Sequence, residues 1–118
     1  MLVELSVLAP FRAALEEKLL LARYFHARLS AMPGWEIGPE PDLSVVTYRY
    51  LPKKGDAHGF NRRLLDAVLA SGRAAISATE VNGNYTLRLA VMHYRTHLNQ
   101  VDELIDLLAI EAARLETT

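Results

Sequence analysis

Ile76-Ser-Ala-Thr-Glu-Val-Asn-Gly-Asn-Tyr-Thr-Leu-Arg-Leu-Ala-Val-Met92 decides the fold. Asn82-Gly83 lies between two runs suited to extended chain, and this dipeptide readily supplies the two positive φ angles of a type I′ turn. Beyond the turn, residues alternate strictly: Tyr85, Leu87, Leu89 and Val91 point one way, Thr86, Arg88, Ala90 and Met92 the other. Before it, Ser77 and Thr79 share one face, and Ile76, Ala78 and Glu80 the opposite one. The hairpin therefore has an apolar face that needs covering by helices. Its other face is small, hydroxyl-bearing and centred on an arginine.

Working outward, Ser44–Leu51 is β-branched and aromatic, hence a strand, with Val46, Tyr48 and Tyr50 on one side and Val45, Thr47 and Arg49 on the other. Trp35-Glu-Ile37 is a short strand, joined to it by a proline-containing connection that cannot sit inside a sheet. Asp56 suits the N-cap of a helix whose inner side is Phe60, Leu64, Leu65, Val68 and Leu69. Ser71-Gly72 ends that helix, the glycine serving as a left-handed residue. A last helix, capped by Thr96 or Asn99, carries an inner stripe of Val101, Leu104, Ile105, Leu108, Ala112 and Leu115.

Pro10 suits the first turn of a long helix running to about Ser30. Its periodic positions (Phe11, Leu15, Leu19, Ala22, Phe25 or His26, and Leu29, with Leu20, Leu21 and Tyr24) cover more than one side, as if it touched two bodies. Residues 1–9 are apolar and uncapped: a strand, an arm on a neighbour or a ragged start. The order helix, two strands, helix, hairpin, helix predicts one α+β domain over residues 1–118. It is a two-layer sandwich with a small antiparallel sheet of two hairpins and three helices on one face.

The chain has 118 residues, 51% of them hydrophobic, with 13 basic against 14 acidic side chains and a net charge of −1. Nothing there points to nucleic acid, and no apolar run approaches the roughly 20 residues of a membrane span. Without cysteine there is no disulfide, thiolate or zinc–sulfur chemistry, and with no signal-peptide pattern a cytoplasmic location is the plain expectation. His93 and His97 straddle a strand-to-helix junction with no third ligand nearby, so no metal site is expected. No serine has a nucleophile-elbow setting, the helical carboxylates read as solvated faces, and the glycines are scattered turn residues. Arg88 remains, in mid-strand between two leucines. It is either paired with an acid or open to solvent, or it is a guanidinium held rigidly to take a carboxylate or phosphate in a bidentate fork. Arg49 invites the same two readings. Arg95 reads as a capping or interface residue.

Ala9-Pro-Phe-Arg-Ala-Ala-Leu-Glu-Glu-Lys-Leu-Leu-Leu-Ala-Arg-Tyr24, Pro41-Asp-Leu-Ser-Val-Val-Thr-Tyr-Arg49, Asn61 with Leu64-Leu65 and Ser71-Gly72, and Tyr85-Thr-Leu-Arg-Leu-Ala-Val91 with Arg95-Thr96 and Val101-Asp102 carry a resemblance. Taken in order, they resemble the C-terminal small domain of the pyridoxal-phosphate-dependent group II amino-acid decarboxylases, which include the aromatic amino-acid and glutamate enzymes. The resemblance implies a homodimeric fold-type-I carboxy-lyase in which this domain packs on a large cofactor-binding domain. It places the arginine face towards an amino-acid substrate, and Arg88 matches the arginine that binds a substrate carboxylate in glutamate-type members. The family's cofactor lysine, its acid at the pyridine nitrogen and its mobile catalytic loop have no counterpart here, so the chain alone is expected to be inactive. The alternative is a free-standing dimerisation or small-acid-binding module. Either way, the uncovered surfaces predict a dimer in solution.

Overall fold

The computed structural model describes residues 2–41, 44–72, 76–90 and 97–117, with side chains in the first helix described from Arg12 onward apart from residue 14. Three helices, α1 (Leu2–Ser30), α2 (Ala57–Ala70) and α3 (Leu98–Glu116), accompany four strands, β1 (Trp35–Ile37), β2 (Val45–Tyr50), β3 (Ser77–Val81) and β4 (Asn84–Ala90). The strands form one antiparallel sheet in the order β1-β2-β4-β3.

The hairpin forms as its sequence dictates. Asn82 and Gly83 take φ of 53° and 79°, the two left-handed positions of a type I′ turn, and Val81 pairs with Asn84 across it. Asp56 caps α2, its two carboxylate oxygens accepting from the backbone N–H groups of His58 and Gly59 at 3.1 Å each. Those two bonds hold its carboxyl below the ordinary aspartate value. Gly72 follows the helix with φ 69°.

Alternation in β2 and β4 sends Val46, Tyr48, Leu87 and Leu89 into one buried cluster with Phe25 and Leu29 of α1 and Phe60, Leu64 and Val68 of α2. Phe25 meets Tyr48 edge-on at 5.1 Å, and Phe60 stacks on Tyr50 at the same distance, so α1 and α2 cover the same face of the sheet. α3 closes this side through Val101, Leu104, Ile105, Leu107, Leu108 and Ala112. The two-layer α+β sandwich expected from the order of elements is the observed fold.

Two local expectations are corrected. α1 begins at Leu2, not near Pro10. The missing N–H at residue 10 removes one backbone bond from a 29-residue helix, while leucine, glutamate and alanine favour helix on both sides of it. The N-cap of α3 is His97, not Thr96 or Asn99. Gln100 Oε1 accepts from the His97 backbone N–H at 2.8 Å, and Glu17 of α1 meets the His97 ring Nδ1 at 3.0 Å. A tertiary partner on a distant helix thus joins the local Gln100 contact in holding His97 at the start of α3. Thr96 itself lies outside the described residues, as do His93 and Arg95.

Tyr48 is 1% exposed, and its hydroxyl has no hydrogen-bond partner among the described residues. Burial without a partner raises its pKa. Tyr48→Phe removes an unsatisfied polar atom while keeping the ring against Phe25. It is expected to raise the unfolding free energy by about 1–2 kcal/mol, read from urea unfolding curves; a drop of that size would mean the hydroxyl has a partner in solution.

Candidate functional site

The sheet has a second face, which none of the described helices covers. Cross-strand partners put their side chains on the same face, and the register sets Ser77 beside Arg88 and Arg88 beside Thr47. Thr79 pairs with Thr86, and Val45 with Ala90, on the same side. Every immediate neighbour of Arg88 on this face is thus short and neutral. The guanidinium is half-buried and makes no hydrogen bond or ion pair among the described residues. A charge partly withdrawn from water, stiffened by strands on both sides and left without a counter-charge, is suited to an incoming anion.

Arg49 stands differently. It faces Glu36 across the β1–β2 ladder, its Nε donating to Oε1 at 3.0 Å and its Nη2 to Oε2 at 3.4 Å. The side chain is 16% exposed. This fork is the carboxylate recognition envisaged for an outside ligand, satisfied instead by the chain's own acid. Beside it lies a shallow pocket of about 90 Å³ lined by Gly38, Thr47, Asn82, Asn84 and Thr86 among others.

The long first helix bears out its two-sided pattern. Leu21, Ala22, Phe25 and Leu29 enter the core, whereas Leu20 on the opposite side is 64% exposed and Leu15 57%. Leu20, Ala13 and Tyr24 line one wall of an open, mainly apolar groove of about 390 Å³, and Leu98 at the start of α3 lines the other. A bond between Tyr24 and Asp102 closes its inner end, and Arg28 joins that pair at 3.2 Å from the Asp102 carboxylate. The acid raises the Tyr24 pKa by accepting its proton bond.

The chain has three lysines. Lys18 is buried in α1 beside Glu17, at 3.3 Å, and Lys53 and Lys54 lie exposed in the loop after β2. None is on the sheet face with Arg88, and no glycine loop cradles a phosphate there. These residues do not fit pyridoxal phosphate on their own. Among the described residues, no group of three or more histidine, cysteine, aspartate or glutamate side chains could hold a metal, and no helix is long and apolar enough to cross a membrane.

The geometry defines a class first: a small α+β domain with one sheet face covered by its own helices and the other, on which Arg88 and the Glu36-paired Arg49 lie, covered by none of the described helices. No protein-family model matches the chain. It is 33% identical over 98 residues to phenylacetaldehyde synthase of Arabidopsis thaliana, and 29% over 92 residues to an aromatic-L-amino-acid decarboxylase of Bacillus atrophaeus. These alignments cover 80% and 75% of this chain but only 20% and 19% of the relatives, so the chain spans about a fifth of their length. Tryptophan decarboxylase of Catharanthus roseus, solved with L-tryptophan, superposes with a TM-score of 0.81 at 26% identity, over 86% of this chain and 22% of that one. The Oryza sativa TDC solved with PLP shares the fold at a TM-score of 0.84 and 18% identity, over 92% of this chain and 24% of that one. The chain corresponds to the C-terminal small domain of the pyridoxal-phosphate-dependent group II amino-acid decarboxylase family. These matches favour that assignment over a free-standing binding module.

Proposed function

We propose that this chain is the small domain of a cytoplasmic, homodimeric amino-acid carboxy-lyase, working against a large domain that holds pyridoxal phosphate. The observation that carries this reading is the sheet face that no described helix covers, with Arg88 unpartnered among the described residues. The residues around it are too short to cover it, so its natural neighbour is a second body. The exposed Leu15 and Leu20 of α1 and the groove beside Leu98 supply further apolar area for the same docking. Cofactor chemistry then belongs to the large domain, which supplies the lysine and the phosphate site. This chain's part is to close one wall of the substrate pocket, exclude water there, and hold a guanidinium where a substrate carboxylate can be oriented. Arg88 takes that role, and Arg49, already engaged by Glu36, flanks it.

The test is reconstitution. The 118-residue chain alone should neither shift the absorbance of added pyridoxal phosphate nor release carbon dioxide from any amino acid. Mixed with, or fused to, a separately made cofactor-binding domain of a group II relative, it should restore release of labelled carbon dioxide from an amino-acid substrate. If no large domain gains stability or activity from the chain, the reading fails.

A further inference from the structure

β3 is the last described strand of the sheet, and no described strand pairs with its outer edge. In a two-residue hairpin the pair flanking the turn exchanges both backbone bonds, and bonded and non-bonded pairs alternate from there. Val81, Thr79 and Ser77 therefore direct their N–H and C=O groups to Asn84, Thr86 and Arg88 of β4. Ala78 and Glu80 direct theirs outward, and no described strand receives them.

Ser77–Val81 contains no proline and no lysine, and it pairs with β4 without a bulge. Of the usual devices that keep a sheet edge solitary it has only its shortness and one charge, Glu80. That charge stands next to unusual company. On the helix side of the edge is an open cleft of about 320 Å³ whose lining includes His58, Arg62, Ala78, Glu80 and Tyr85. The Arg62 guanidinium lies over the Tyr85 ring, 5.4 Å from its centroid, and forms no ion pair among the described residues. His58 is exposed at the cleft's rim, beyond the capped start of α2.

We propose that this edge pairs antiparallel with the same edge of a second copy, about a two-fold axis through Thr79. The register follows from the free backbone groups. Ala78 of each copy faces Glu80 of the other, and these are the two residues whose N–H and C=O groups are available, giving four new backbone bonds. Side chains at positions 78 and 80 point to the helix side, so Glu80 of the second copy is set over Ala78, beside the cleft that holds Arg62 and His58. The arrangement is isologous: each copy contributes the acid and receives the other's beside its own Arg62. It also brings the two Glu80 side chains within a diagonal step of each other, a repulsion that Arg62 of each copy offsets. Ala78 is the smallest side chain on the strand, so the incoming glutamate meets no obstruction. The result is a continuous eight-stranded sheet whose Arg88 face is still free. This inference is independent of the decarboxylase reading, since it needs no cofactor, substrate or large domain.

Sedimentation equilibrium of the 118-residue chain over a wide concentration range tests it, with far-UV circular dichroism and melting to check folding. A reversible monomer–dimer equilibrium is expected. Ala78→Pro removes an outward donor without touching the β3–β4 ladder and should weaken the dimer at least about tenfold, the change of roughly 1.4 kcal/mol that separates decades in affinity. Glu80→Arg, an exposed position that cannot disturb the core, should do the same. Arg62→Glu should also weaken it, and the Arg62→Glu/Glu80→Arg double variant should recover most of the loss. A strictly monomeric chain, or a dimer indifferent to both Ala78→Pro and Glu80→Arg, overturns the proposal; the second outcome would move self-association to the bare face or the α1 groove.

Discussion

Asn61→Leu is expected to destabilise the fold by about 3–5 kcal/mol, a drop in melting midpoint of roughly 12–20 °C for a chain of this size. Asn61 is completely buried in α2. Its Oδ1 accepts from the Tyr50 backbone N–H at 2.9 Å, and its Nδ2 donates to the carbonyl oxygens of Tyr50 at 2.9 Å and Ala57 at 2.8 Å. β4 pairs with β2 only as far as Tyr48, so the outward backbone groups of Tyr50 have no strand beside them. The side-chain amide substitutes for that missing strand and ties the end of β2 to α2. Leucine fills the volume but leaves a buried N–H and a buried C=O unsatisfied.

Asn61→Asp gives the companion signature. It keeps the acceptor but loses both donors and sets a carboxylate against two carbonyl oxygens. Burial would raise the folded-state pKa of that acid above its unfolded value. The variant would then be closest to the parent below the unfolded pKa and would lose stability as pH rises through it towards the folded pKa. Urea unfolding at several pH values measures both variants. A leucine variant within about 1 kcal/mol of the parent would show that water replaces the amide at Tyr50.

The contrast with what local pattern reveals is instructive. The type I′ turn, the Asp56 cap, the Gly72 stop and the alternate facing of residues 45–50, 77–80 and 85–90 were legible, because each depends on backbone preferences within a few residues. Asn61 was not legible as a core residue. Polarity places it outside the α2 stripe, and its burial depends on where β2 outruns β4. The pairing of Arg49 with Glu36 depends equally on a register set by the connection after Ile37, which no periodicity fixes. The start of α3 at His97 rests partly on Glu17, 80 positions away in sequence. Arg88 was legible as an oddity, a charge between two leucines. Whether it had a counter-charge was decided by Ser77 and Thr47, two neighbours that only the sheet brings together. Sequence marks the residue, and topology decides that it is alone.

That solitude gives the second large effect. In the assembly with a cofactor-binding domain, Arg88→Ala should lower kcat/KM for decarboxylation by about 10²–10³-fold, the loss of roughly 3–4 kcal/mol expected when a desolvated, bidentate charge-assisted contact is removed. Arg88→Lys should recover only part of it, because an ammonium offers no planar fork. Arg49→Ala should cost far less, since that guanidinium is already held by Glu36 and its loss mainly frees an exposed acid. The split between KM and kcat locates the contact: a change confined to KM means that the arginine holds substrate equally in the ground and transition states, whereas a fall in kcat means that it orients the scissile carboxylate. Affinity of the variant for the large domain, measured alongside by calorimetry, separates pocket from interface. If Arg88→Ala abolishes docking, the guanidinium meets an acid of the large domain instead of substrate; if it leaves docking intact and catalysis within about threefold, under 1 kcal/mol, the bare face contributes shape alone.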